Sequence, residues 1–428
     1  MIIKTQCNYE IEPYKFPFGF KGGYLNDAWQ TCALVVNDAK QTGLGTGVQS
    51  VLWSDAGLFE KFGNDKGNAA MFEMTRHGLE LLKNTNFATP VEALEYIFPL
   101  VYKFGQNQLG YENLRETFAL NALVPVDNAV WQLYGKEKGV TDFDGLIPYE
   151  NRLALQCRHD KLAVIPLCSY KLSVEEIGAL VDDGYFFFKI KVGSDPDSDR
   201  DQQKMLEWDK KRITEIHSVL KDKKTAYSVS GEVPYYLDAN GRYENKDTLL
   251  RLLDHCDKIG ALNRIVIFEE PFPEDYLEPV HDIPVRLAAD ESAHTDKDAI
   301  DRIDLGYGAI ALKPIAKTLS MSLKIAAAAV KRDIPCFCAD LTVNPVLLDW
   351  NKNVAARLKP LPELKIGVLE SNGHQNYRDW DKMLGYHPLP GASWLPIKNG
   401  VFELDDTFYA AGGGTLDASN HFVRLAGG

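Results

Sequence analysis

From about residue 161 onward, short apolar runs alternate with amphipathic helical stretches, and this alternation constrains the fold more than any other feature. The runs are 164–168, 185–192, 235–238, 264–269, 285–290, 309–313, 335–338 and 364–369. Helical patterns such as 174–182, 247–257 and 318–330 lie between them. A strand that reaches the next strand through a helix runs parallel to it, so the pattern predicts a parallel sheet with helical crossovers. Eight such units favour a closed barrel over an open sheet. A dinucleotide-binding fold is excluded by the lack of a Gly-x-Gly-x-x-Gly turn after an early strand.

The fold class is therefore α/β: a (β/α)₈ TIM-type barrel over 161–392, with an α+β capping domain over 1–140. In the latter, 28–37 and 47–53 read as strands separated by a Gly-rich turn, Gly43-Leu-Gly-Thr-Gly47, and helices follow over 66–140. The clearest helix runs from Glu116 to Lys138, its apolar residues at helical spacing. The Gly-rich, strand-like segment 393–428 is expected to leave the barrel and pack back on the capping domain. Trp131, Trp350 and Trp394 read as core.

The 428 residues carry a formal net charge of −13, which argues against nucleic acid as a partner, since phosphate binding needs a basic surface. A small anionic substrate sees only its own pocket and remains compatible. Seven cysteines without paired spacing do not suggest a disulfide framework. Cys336 and Cys338 share a strand face and read as core. The N-terminus lacks a signal-peptide pattern, and no 18-residue apolar run offers a membrane span. The expected location is cytoplasmic.

Lys189 and Lys191 lie two apart near the end of the second run, so on a strand both face the barrel interior. A Lys-x-Lys is commonplace on surfaces. Inside Phe186-Phe-Phe-Lys-Ile-Lys-Val192, however, two lysines require compensating anions. Three acids each close a predicted strand: Asp238, Glu269 and Asp290, separated by 31 and then 21 residues, about one strand–helix unit each. Any one of them alone reads equally well as a helix cap or a surface charge. Together they place three carboxylates on adjacent strands at the C-terminal mouth, where they resist joint ionisation unless a cation joins them. An all-oxygen set with room for water suits Mg²⁺. Lys313, 23 residues beyond Asp290, closes the sixth run, across the barrel from the lysine pair.

The order Lys-x-Lys, Asp-x-Asn, Glu-Glu-Pro, Asp-Glu-Ser and Lys resembles the muconate-lactonizing branch of the enolase superfamily. The segment Val126-Asp-Asn-Ala-Val-Trp-Gln-Leu-Tyr-Gly135 is similar to that family's capping helix. The resemblance implies that Asp238, Glu269 and Asp290 bind Mg²⁺, and that Lys191 and Lys313 are acid/base lysines on opposite substrate faces. Lys189 would stabilise charge on the substrate carboxylate. It further implies a small carboxylate-containing substrate, a homo-oligomer, and removal of the proton α to the carboxylate to give an enediolate. The superfamily's lysine-plus-Mg²⁺ arrangement is an established case of pKa tuning. Burial and neighbouring cations are expected to lower the base lysine's pKa towards neutrality.

Some positions depart from the family pattern. Lys317-Thr-Leu-Ser320 stands where a Gly-Gly is usual, and Leu369-Glu-Ser-Asn-Gly-His374 lacks the Asp-x-Asp clamp typical of dipeptide epimerases. The segment 192–237 is longer than one unit needs and reads as an insertion near the active-site mouth. Phe16-Pro-Phe-Gly-Phe-Lys-Gly-Gly23 falls in the region that closes over substrate in relatives. His294 and His374 are candidates for substrate contact, while Glu270 and Glu291 read as partners of the ligands. Lysines on both faces fit a racemase or epimerase best. An acid-sugar dehydratase, an o-succinylbenzoate-synthase-like lyase and a cycloisomerase share the first step, and a catalytically silent anion-binding barrel is the non-enzymatic alternative.

Overall fold

The computed structural model of the chain describes residues 1–20 and 23–427. The N-terminal part is a three-stranded antiparallel sheet, β1 (Ile2–Phe20), β2 (Gly23–Asn37) and β3 (Thr42–Gln49), in that order. Three long helices follow: Ala56–Leu82, Pro90–Leu109 and Glu116–Lys138. β1 has no counterpart among the sequence-predicted strands. Most of its residues are half-buried or exposed, and Pro13 and Pro17 interrupt it, so the apolar alternation that marks a strand is weak.

The run Gly43-Leu-Gly-Thr-Gly47 is not the expected turn but the body of β3. Its glycines serve close packing. A Cβ on Gly43 would sit 2.0 Å from the carbonyl oxygen of Ala129, and one on Gly45 would sit 1.9 Å from that of Pro125. Both partners lie on helix Glu116–Lys138, so the glycines let that helix lie directly on the sheet. The actual turn falls at Asn37–Gln41, where Lys40 takes a positive φ of 61°.

The remaining strands are β4 (Lys161–Ile165), β5 (Leu167–Cys168), β6 (Phe188–Lys191), β7 (Tyr235–Asp238), β8 (Ile265–Glu269), β9 (Leu287–Ala289), β10 (Ala309–Leu312), β11 (Cys336–Cys338) and β12 (Gly367–Glu370). Neighbouring strands from β5 round to β4 pair in parallel. Pro166 splits the first barrel strand: β4 pairs with β12 and β5 with β6, so the circuit closes through this one segment. Every predicted run finds its strand. The barrel interior is filled by side chains such as Ile165, Phe187, Tyr236, Ile267 and Phe337, all at most 1% exposed.

Two expectations are corrected by strand direction and edge geometry. The segment Pro396–Glu403 forms a hairpin, β13 (Ile397–Lys398) and β14 (Val401–Glu403), that pairs antiparallel with β4 of the barrel. The break at Pro166 leaves that edge of β4 without β6, and the hairpin covers it. Only then does the chain reach the N-terminal sheet, where Phe422 and Ala426 pack on Cys32, Leu34 and Leu44. The second correction concerns 221–234, which lies at the barrel's bottom because it feeds the N-terminal end of β7. Val229 N donates to Glu363 O (2.9 Å) and Lys365 N to Tyr227 O (2.8 Å), both on the approach to β12. Among the described residues, no helix is long and apolar enough to cross a membrane.

Candidate active site

The parallel register sets Lys191, Asp238 and Glu269 side by side at the ends of β6, β7 and β8. Asp290 follows β9 directly and Lys313 follows β10. All six side chains singled out in the sequence are at most 7% exposed, and the three acids are fully buried. Lys189, Lys191 and Lys313 line one cavity, together with Asn240, Glu370 and Trp53. Trp53, from the N-terminal part, donates to Asp290 Oδ2 (3.4 Å), and its ring lies 4.5 Å from Lys313 Nζ. The cavity is thus roofed by the N-terminal part and floored by strand ends.

Lys189 Nζ is shared among three acids: Asp238 Oδ2 (3.0 Å), Glu269 Oε1 (3.2 Å) and Glu370 Oε2 (3.1 Å). Lys191 Nζ meets Asp238 Oδ2 (2.6 Å) and Asn240 Oδ1 (2.5 Å). Lys313 Nζ meets Asp290 Oδ2 (2.6 Å). Burial opposes the charge on Lys189, but Asp238, Glu269 and Glu370 outweigh it and raise its pKa well above the usual lysine value. Lys313 is raised in the same way by Asp290, against its burial. At both groups the carboxylates that face the ammonium outweigh its burial.

The acids differ among themselves. Burial disfavours ionised Asp238, yet Lys189 and Lys191 together hold its pKa down at about 2. Glu269 is pushed up to about 8, because burial and neighbouring Asp290 exceed the pull of a lysine it shares with two other carboxylates. Asp290 is held below the usual range by Lys313 and Lys317, against its burial.

Carboxylate oxygens of Glu269, Asp290 and Glu291 lie within 4.8 Å of one another, close enough to share one ion. Asp238 adjoins this trio through Lys189, which bridges it to Glu269. Asp290 Oδ1 accepts no hydrogen bond although buried, and Lys317 Nζ is 3.4 Å away. An all-oxygen, acid-rich, buried set of this kind fits a hard divalent cation. Glu291, which the sequence reading gives as a partner of the ligands, belongs to this trio, and Asp238, which it gives as a ligand, does not.

Lys317 Nζ donates to the backbone oxygens of Asp290 (2.5 Å) and Ala293 (3.0 Å), fixing the β9 turn. Thr318 after it takes a positive φ of 71°, the backbone conformation for which glycine is the usual choice. His294 pairs with Glu274 (2.5 Å) and His374 with the Tyr185 hydroxyl (3.3 Å); neither lines the cavity. Phe18 does line it, while Lys21 and Gly22 of the same segment lie outside the described residues. Sequence reasoning assigned no role to Asn240, Glu370, Asp340 or Trp53. For Asn240 the signal was present, two residues after a predicted ligand.

Residues 173–385 match the family described as "Enolase C-terminal domain-like". No curated protein matches the sequence. Among solved structures, the chain is similar to a mandelate racemase/muconate lactonizing protein from Herpetosiphon aurantiacus, with 16% identity, a TM-score of 0.65, and coverage of 95% of this chain and 96% of that one. It is likewise similar to a dipeptide epimerase from Enterococcus faecalis V583 complexed with Mg and L-Leu-L-Tyr (15% identity, TM-score 0.65, 94% and 97% covered). A third is an N-succinyl Arg/Lys racemase from Bacillus cereus (17% identity, TM-score 0.62, 88% of each chain). The match assigns residues 173–385, most of the barrel, to that family, and the solved structures share the fold over nearly the whole chain.

Proposed function

We propose that the protein is a Mg²⁺-dependent racemase or epimerase of a small carboxylate, removing the proton on the carbon next to that carboxylate and returning one to the opposite face. The observation that carries this reading is the lysine arrangement. Lys191 and Lys313 end the second and sixth of eight barrel strands, which are diametrically placed, and both line one buried cavity. Each is anchored on a different acid, Asp238 and Asp290. Two bases approaching one carbon from opposite sides are what a 1,1-proton transfer needs.

Glu269, Asp290 and Glu291 are the groups that would hold the ion, with Asp238 beside Glu269 on the next strand. When bound, Mg²⁺ supplies Lewis-acid polarisation of the substrate carboxylate. Lys189 sits among Asp238, Glu269 and Glu370, where its fixed positive charge attracts the substrate's anionic end. One of Lys191 and Lys313 takes the α-proton as the free amine, and the other delivers a proton as the ammonium. The N-terminal roof, with Trp53 over Lys313, excludes water and so strengthens each electrostatic contact. Glu370 and Asn372 stand where dipeptide epimerases typically carry their carboxylate clamp. Glu370 is engaged by Lys189 and by the Asp340 backbone, so N-acylamino acids and acid sugars belong in a substrate screen beside dipeptides.

The test is α-deuterium exchange in D₂O across those three classes, with Mg²⁺ present. Lys191→Ala should lower exchange from one stereoisomer by about 10²–10⁴-fold, and Lys313→Ala from the other. Exchange retained in both variants would overturn the assignment. Loss from only one variant, with elimination of a leaving group, would make the enzyme a lyase.

A further inference from the structure

Asn240 occupies an unusual position between the proposed base and the acids. Its Oδ1 accepts from Lys191 Nζ at 2.5 Å, and its Nδ2 donates to Glu291 Oε1 at 2.9 Å. Its backbone N–H donates to Asp238 Oδ1 at 2.9 Å, and its φ of 47° places it in the left-handed region. The amide therefore has one orientation only: the Glu291 carboxylate accepts the NH₂, which turns the carbonyl oxygen onto Lys191. Asn240 also lines two cavities, the one with the three lysines and a second that it shares with Arg115, Arg242 and Glu274.

Lys191 has two acceptors with different chemistry. Asp238 is a carboxylate that Lys191 shares with Lys189. Asn240 offers a neutral carbonyl. It can accept from an ammonium or from a free amine, because both carry N–H groups. A residue that holds the nitrogen in both states keeps the amine's lone pair aimed at one place throughout the proton transfer.

We propose that Asn240, oriented by Glu291, is the positioning residue that aims Lys191 at the substrate's α-carbon in both of its protonation states. The inference rests on the reading of Lys191 as one of two opposed bases. Because Asn240 touches Lys191 and not Lys313, its effect should be confined to one stereoisomer.

Two variants suit the left-handed backbone, since Asp and Gly both tolerate it. Asn240→Gly removes the acceptor and should lower exchange from the stereoisomer served by Lys191 by about 10²-fold, a typical cost of misplacing a reacting group by about an ångström. Exchange from the other stereoisomer should stay within about threefold. Asn240→Asp replaces the neutral acceptor with a charged one. It keeps an oxygen acceptor for Lys191 and should recover part of the exchange that Asn240→Gly loses from that stereoisomer, leaving the other stereoisomer unchanged. Mg²⁺ affinity, read by calorimetry on each variant, should remain within a few-fold of the parent, separating lysine aim from ion binding. Equal losses for both stereoisomers, or no recovery of exchange in Asn240→Asp relative to Asn240→Gly, would overturn the proposal. If Lys191→Ala and Lys313→Ala both retain exchange, the functional reading itself fails, and that result is obtained independently of any Asn240 variant.

Discussion

The molecule buries two groups of charge to the same depth and treats them differently. One is the strand-end group around Lys189. The other lies on helix Pro345–Ala355, where Asp349 meets Lys352 (2.6 Å), His387 Nε2 (2.9 Å) and the indole N–H of Trp394 (3.0 Å). Lys352 completes the second group by donating to the Trp394 carbonyl (3.0 Å), with its ammonium 4.2 Å from the Phe402 ring centroid. Asp349, Lys352 and His387 are at most 3% exposed, as is Lys189.

What separates them is stoichiometry. Around Asp349 a single acid is met by a lysine, an imidazole and an indole, and its pKa is lowered because Lys352 and His387 outweigh burial. At the strand ends five acids, Asp238, Glu269, Asp290, Glu291 and Glu370, face four lysines, Lys189, Lys191, Lys313 and Lys317, and Glu269 is pushed up to about 8. A matched group holds structure: this one ties the helix to Trp394 and Phe402 of the C-terminal segment. A group with surplus acid is incomplete without a cation from outside the chain. Buried charge by itself does not mark a functional site; unbalanced buried charge does.

The comparison can be broken most forcefully at Asp349. Asp349→Ala leaves the Lys352 ammonium buried without its counter-ion, which should cost about 3–5 kcal/mol of stability in urea unfolding. Exchange per folded molecule and Mg²⁺ affinity should be unchanged. A loss below about 1 kcal/mol would show that the matched group does not hold the fold together.

A somewhat smaller effect is expected from the cation. If the strand-end acids form the ion site, Mg²⁺ at a hundred times its dissociation constant should stabilise the protein by about 2.7 kcal/mol, reversibly with EDTA. Glu269→Gln should remove that increment, and Asp349→Asn should not. Mg²⁺ that leaves the unfolding midpoint of the parent protein untouched would remove the meaning assigned to the surplus acid.

Much of the strand-end group is legible in the sequence because it is written in register. Asp238, Glu269 and Asp290 recur at about one strand–helix unit, and parallel pairing turns that recurrence into adjacency. Partners that join by tertiary contact leave no such trace. Glu370 reaches Lys189 across 181 residues and Trp53 reaches Asp290 across 237, and no local pattern announces either. The glycines of β3 mislead for a related reason. A turn and a closely approached strand both require residues without side chains, and only the helix at Pro125–Ala129 distinguishes the two. The segment 192–237 reads as an insertion at the mouth by its length, whereas its part 221–234 precedes β7 and therefore lies at the opposite end.

The smallest expected effect is a difference in pH dependence between two aspartates of equal burial. Asp340, on the cavity wall, is pushed up to about 7 by burial and by neighbouring Glu370, although it accepts from the backbone N–H groups of Asn372 and Leu341. Asp349 is lowered. An unfolded Asp titrates near 3.9, so folded Asp340 binds its proton more tightly than the unfolded chain does. Its contribution to stability is fully present below about pH 4 and is lost as the pH rises through about 7. For Asp349 the sign reverses: its contribution is present above about pH 4 and is lost as the pH falls through its depressed folded value. Urea midpoints measured in EDTA across this range should therefore respond oppositely. Asp340→Asn should flatten the decline in stability between about pH 4 and 7, and Asp349→Asn should flatten the loss on the acid side. The two substitutions remove the same carboxyl from equally buried positions, so burial alone predicts the same change for both. Parallel changes in the two variants would mean that depth, and not the balance of neighbouring charge, governs these groups.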